Sequence, residues 1–82
     1  MVKNVTVFTT NQCAYCHMVK KYLDNKNIKY DEVNLDNQPN RRQEAISLSG
    51  GMTVPVTLVT QHDDSRHVVV GFNLSSLVTL LD

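Results

Sequence analysis

The change of hydrophobic period around residues 10–14 constrains the fold more than any other feature of this chain. Residues 2–9 read VKNVTVFT, rich in valine, threonine and phenylalanine with Val5 and Val7 on one face, and they end in the polar run Thr10 to Gln12. That is a strand entering a loop. From Ala14 to Asn25, Tyr15, Met18, Val19, Tyr22 and Leu23 recur at three- and four-residue spacing, with Lys20, Lys21 and Asp24 opposite. That is an amphipathic helix. The switch then repeats. After a turn at residues 25–27, IKYDEVNL predicts a second strand through Ile28, Tyr30 and Val33 to Leu35, and DNQPNRRQEAISLSGG predicts a second helix, with Pro39 in its first turn and Gly50 and Gly51 at its end. Two successive βα units favour a parallel strand pair joined by a right-handed crossover.

The remaining third departs from that alternation. VPVTLV and RHVVVG are β-rich runs around the hairpin loop QHDDS, and both are too apolar to face water. Leu74, Leu77, Val78 and Leu81 then follow helical spacing, with Asn73 as N-cap. The order βαβαββα predicts an α/β fold with a four-stranded mixed sheet and helices on both faces, in one domain spanning residues 1–82.

Composition narrows the function. The chain has 82 residues with eight basic and eight acidic side chains, so neither a nucleic-acid nor a membrane partner is expected. The basic pairs Lys20–Lys21 and Arg41–Arg42 read as solvated helix faces. The N-terminal MVKNVTVFTT has no apolar core of a signal peptide, and no apolar run reaches membrane-spanning length, so a cytoplasmic protein is expected. In a reducing compartment two cysteines three residues apart are poor structural staples. Their purpose is chemistry.

Those cysteines lie in NQCAYCH, residues 11–17, a string compatible with three chemistries. Covalent haem attachment would take Cys13 and Cys16 with His17 as axial ligand and a second ligand such as Met1, Met18 or Met52, and it usually accompanies export. A zinc site needs four ligands, and beyond the two cysteines only His17, His62 and His67 are candidates; a zinc or iron–sulfur centre shared between subunits through Cys13 is a related, non-enzymatic alternative. Thiol redox chemistry needs a strand, a short loop and a thiol at a helix N-terminus, where free backbone N–H groups and the helix dipole stabilise a thiolate. The strand–CxxC–helix context favours this last reading, with Cys13 as exposed nucleophile and Cys16 as the more buried resolving thiol.

A further segment sharpens it. Thr53, Val54 and Pro55 open the third β-rich run, where a proline must lie at a strand start or an edge. Together, CAYC at the first helix, SGG followed by TVP before the third strand, and GF before the last helix resemble the glutaredoxins and the related NrdH-type redoxins on the minimal thioredoxin fold. The resemblance implies a cis Pro55 facing the cysteine pair and a Val54 whose backbone receives an extended substrate or glutathione. It also implies Tyr15, Thr53, Gly71 and Phe72 as substrate contacts. It implies a monomer that binds no cofactor or metal and reduces disulfide-containing proteins, ribonucleotide reductase among them, drawing on thioredoxin reductase and NADPH or on glutathione.

CAYC in place of CVQC, and the lack of an arginine, proline and aspartate after Phe72, depart from NrdH-type members, so the chain sits between the two subgroups. Three departures from the glutaredoxins bear on the reductant. Ala14 stands where glutaredoxins carry proline. Thr10 stands where glutathione-binding members carry lysine. Val70 to Asn73 replace their GGxD. Missing charge contacts point toward thioredoxin reductase as the reductant, with glutathione as the alternative.

Overall fold

The computed structural model describes residues 2–51 and 53–81; Met1 and Met52, weighed above as haem ligands, and Asp82 lie outside the described residues. Strand β1 (Val2–Thr9) runs into helix α1 (Ala14–Asn25), followed by β2 (Asp31–Asn34) and a 3₁₀ turn at Pro39–Arg41 that continues as α2 (Arg42–Ser49). The hairpin of β3 (Val56–Gln61) and β4 (Arg66–Val70) and the last helix, α3 (Leu74–Leu81), complete the chain. The sheet order is β2-β1-β3-β4, with β1 and β2 parallel and the other pairs antiparallel. This is the four-stranded mixed sheet expected.

Alternation along β1 divides the core between two faces. Val5 and Val7 point to one side and pack with Val19 and Leu23 of α1, Val69 of β4 and Leu77 of α3. Phe8 points to the other side and packs with Val33, Leu35, Val56 and Ala45 of α2. A one-residue slip of β1 would exchange the two sets, so burial on both faces fixes the register. The helix ends are set locally. Gly50 takes the left-handed conformation that closes α2, at φ 81°. Asn73 accepts from the Ser76 N–H at 3.2 Å and caps α3.

The structure corrects three expectations. Strand β2 is only four residues long, and Ile28 and Tyr30 pack against the α1–α3 core instead of extending it. Strand β3 begins at Val56, after Pro55, since proline gives the ladder no N–H. The last β-run is not shielded from water: β4 is a sheet edge, and Val68 and Val70 are exposed on the α2 face.

The register also gathers the loops that matter. Phe8 lies opposite Val56, and Val56 opposite Val70. Leu35 N–H donates to Thr9 O at 2.8 Å just beyond β2, and Gly71 N–H donates to Pro55 O at 2.8 Å just beyond β4. Residues 10–13, 53–55 and 71–73 therefore emerge together from one end of the sheet.

Candidate active site

Cys13 and Cys16 are joined by a disulfide, their Cα atoms 5.2 Å apart. Cys13 is the N-cap of α1: its backbone is extended, at φ −147° and ψ 103°, and its Sγ accepts from Cys16 N–H at 3.1 Å. A cap position leaves the first helical N–H groups without carbonyl partners, and here one of them is aimed at sulfur. The first turn of α1 contains no acidic residue that would oppose negative charge there. The two sulfurs differ in access. Cys16 is 1% exposed, whereas Cys13 is partly open to solvent.

The buried stripe of α1 is rotated from the one its sequence suggests. Cys16, Val19 and Leu23 are buried, with Tyr22 half-buried, while Tyr15 is 60% and Met18 45% exposed. Two apolar side chains at i, i+3 spacing thus lie exposed on the first half of α1. His17, a literal part of the CxxCH string, is exposed.

The other proposed contacts lie on the neighbouring loops. The Val54–Pro55 bond is cis, Pro55 is fully buried, Val54 is half-buried and Thr53 is exposed. Gly71 has a left-handed backbone at φ 74°, and Phe72 leans into the α1–α3 core. A small groove lies beside the cysteine loop, lined by Thr10, Thr53 and Val54 on one side and by Arg42, Ala45 and Ile46 of α2 on the other. Arg42, set aside in the sequence as a solvated charge, belongs to this groove. Its position at the start of a helix following the Pro39 turn is the signal that could have found it.

Two polar networks brace the site. Beneath α1, the buried Thr9 hydroxyl donates to Glu32 Oε2 at 2.8 Å, and Lys20 Nζ donates to the same oxygen at 3.0 Å. Burial alone would lift the Glu32 carboxyl, but the hydrogen bonds from Thr9 and Lys20, with the charges of Lys20 and His17, outweigh it and hold the group below its ordinary range. Beside the cysteine loop, Asn11 N–H donates to Asp36 Oδ2 at 2.7 Å, and Asn34 Nδ2 donates to Asn11 Oδ1 at 2.8 Å. Neither network is visible in the sequence, because IKYDEVNL reads as a strand whose polar side chains have no partners until the strand pairing is known.

Among the described residues no group of three or more histidine, cysteine or acidic side chains is placed to hold a metal ion. His62 and His67 lie at the exposed hairpin end, with His67 Nε2 3.5 Å from Ser65 Oγ. Nor is any helix among these residues long and apolar enough to cross a membrane.

A mixed sheet carrying a disulfide at the N-terminus of its first helix defines a thioredoxin-fold thiol–disulfide oxidoreductase. Comparison with known proteins gives the family. Residues 5–62 match the glutaredoxin family model, and the chain belongs to the glutaredoxin family. It is 38% identical over 76 residues to the glutaredoxin-like protein NrdH of Lactococcus lactis subsp. lactis (strain IL1403), covering 93% of this chain and 97% of the relative. It is 34% identical over 65 residues to glutaredoxin 3 of Escherichia coli (strain K12), covering 79% and 74%. In structure it superposes on the NrdH-redoxin of Escherichia coli with a TM-score of 0.78 at 24% identity, covering 98% of this chain and 97% of the other.

Proposed function

We propose that this protein is an NrdH-type dithiol reductant of protein disulfides, recharged by a thioredoxin reductase at the expense of NADPH, with ribonucleotide reductase as a candidate substrate. The observation that carries the reading is the asymmetry of the disulfide: one sulfur partly open at a helix N-terminus, the other sealed beneath it. In the reduced protein the Cys13 thiolate attacks one sulfur of a substrate disulfide, forming a mixed disulfide and expelling the other sulfur as a thiolate. Cys16 then gives up its proton and attacks Cys13 Sγ, releasing the second substrate thiolate. The products are a substrate dithiol and the Cys13–Cys16 disulfide, and two electrons with two protons from the reductant restore the start.

Tyr15 and Met18 offer exposed apolar surface, and Thr53 and Val54 line the groove for an extended substrate segment, with the buried cis Pro55 and the Gly71–Phe72 turn supporting that loop from behind. Thr10 and Asn73 bring no charge to this end of the sheet, which favours a protein substrate over a small anionic thiol. The Escherichia coli NrdH-redoxin has a thioredoxin-like activity profile, in line with this choice. In this reading the protein works as a cytoplasmic monomer without a bound cofactor. Glutathione is the competing reductant, and the observation in its favour is Arg42 in the groove beside Val54.

Steady-state disulfide reduction with thioredoxin reductase and NADPH, run beside glutathione and glutathione reductase, decides between them. Faster turnover with thioredoxin reductase is expected; efficient turnover with glutathione alone overturns the choice. Loss of both activities in Cys13→Ser is expected, and full activity in that variant would sink the mechanism.

A further inference from the structure

Asp36 shares its two carboxylate oxygens between the cysteine loop and the groove. Oδ2 accepts from the Asn11 backbone N–H at 2.7 Å, two residues before Cys13, and Oδ1 accepts from Arg42 Nη2 at 3.4 Å. Asn34 strengthens the first half, since its amide donates to Asn11 Oδ1 while its own Oδ1 accepts from Asp36 N–H at 2.9 Å. Arg42 is the only charged side chain among the described residues lining the groove with Thr10, Thr53 and Val54. The single cation facing an incoming ligand is thus already paired with an anion of the same chain.

We propose that Asp36 is a specificity-determining residue that masks Arg42, so that the groove beside Val54 presents no net charge and discriminates against small anionic thiols such as glutathione. The inference deepens the protein-disulfide reading and rests on it. Glutathione carries two carboxylates, and capture of one of them in this groove is strengthened by a guanidinium free to bond it. A neutral backbone segment of a protein substrate requires none. Asp36 therefore suppresses one class of ligand without contributing an attractive contact to the other, which is how a site rejects a competitor. Its tie to Asn11 makes the masking part of the structure that presents Cys13, since the carboxylate is held on both sides.

The ion pair is partly exposed, with about 40% of the Arg42 and 37% of the Asp36 side chain open to solvent, so a modest effect is expected. Exposed pairs are worth about 0.2 to 1 kcal/mol, which corresponds to a change of roughly 1.4- to 5-fold. Asp36→Asn keeps an oxygen acceptor for Asn11 N–H and removes the charge. The reaction measured is reduction of the Cys13–Cys16 disulfide by two glutathione thiols, which yields the protein dithiol and glutathione disulfide; dithiothreitol serves as the uncharged reference.

For Asp36→Asn the KM for glutathione, divided by the KM for dithiothreitol in the same variant, should fall by roughly 1.4- to 5-fold relative to wild type. The fall should shrink at 0.5 M salt and vanish in Asp36→Asn/Arg42→Gln. Asp36→Ser, with its shorter hydroxyl acceptor, provides a second version should the amide fold poorly. An unchanged ratio overturns the proposal, as does a gain that persists once Arg42 is gone. Failure of the wider reading shows elsewhere, as efficient glutathione turnover by the wild type itself, whereas this inference is read only from the ratio between variants.

Discussion

Removing the Glu32 carboxylate should destabilise the protein by more than its surface position suggests. Thr9 is fully buried, and its hydroxyl has Glu32 Oε2 as acceptor at 2.8 Å. In Glu32→Ala that hydroxyl is left buried without its partner, a loss of about 1 to 3 kcal/mol. The Lys20 pair adds no more than about 1 kcal/mol, because both side chains are partly solvated. With a third of the Glu32 side chain open, water enters the vacated space and offsets part of the loss, which places the expected total at about 1 to 2 kcal/mol. Urea titration of the oxidised protein at pH 7 measures it. With a slope of about 1 kcal/mol per molar for a domain this size, the midpoint should fall by roughly 1 to 2 M. Thr9→Val should cost less, because its Glu32 keeps Lys20 and water, and the double variant should lose less than the sum of the two. A midpoint shift below about 0.5 M, or strict additivity, would refute the coupling. The pH dependence has a defined sign. A carboxyl held below its ordinary value in the folded state contributes stability that is fully present above the ordinary range and lost as pH falls through the folded-state value. Glu32→Gln should therefore flatten the acid limb of the stability curve and leave the neutral-to-basic limb parallel to wild type.

Three further outcomes follow from the same geometry. Cys16→Ser should accumulate a mixed disulfide through Cys13 with a disulfide substrate, visible as an adduct mass under non-reducing conditions; recovery of free Cys13 with unmodified substrate would argue against a resolving role. Thr57 Oγ1 is buried without a hydrogen-bond partner among the described residues, so Thr57→Val, which keeps the shape, should be neutral or stabilising by about 1 kcal/mol in thermal unfolding, and a clear loss would reveal a hidden partner. Leu77→Ala empties a fully buried position between α3 and the sheet and should cost about 2 to 5 kcal/mol, against about 1 kcal/mol for removing the Asn73 cap in Asn73→Ala.

The order of elements was legible because each one carries its own period and its own stop signals. Residues 2–9 alternate, Gly50 ends α2 and Asn73 starts α3, and none of these depends on distant parts of the chain. What periodicity leaves open is the rotation of a helix on its sheet. Tyr15, Met18 and Tyr22 fit a three- and four-residue stripe as well as Cys16, Val19 and Leu23 do, and tertiary packing selects the second set. That selection bears on the proposed chemistry, because it buries the Cys16 sulfur and leaves Tyr15 and Met18 exposed. The polar networks were illegible for a related reason. Glu32 meets Thr9 only because the parallel pairing sets Val7 beside Glu32 and Thr9 beside Asn34, and that register is not written in either strand alone.

Asp36 shows how far such hidden pairing changes a functional reading. On its own, Arg42 in a groove beside Thr10 and Val54 argues for an anionic thiol, and the uncharged Thr10 argues against one. Counting charges along the sequence cannot decide between these, because it treats Arg42 as available. In the masking proposed above, the ion pair with Asp36 lowers that availability, and the hydrogen bond from Asn11 N–H holds the Asp36 carboxylate beside Arg42. Under that proposal the unpaired groups, not the total number of charged ones, determine which ligand gains energy on entering the groove, and the Asp36→Asn comparison reads out whether a carboxylate gains when Arg42 is unmasked.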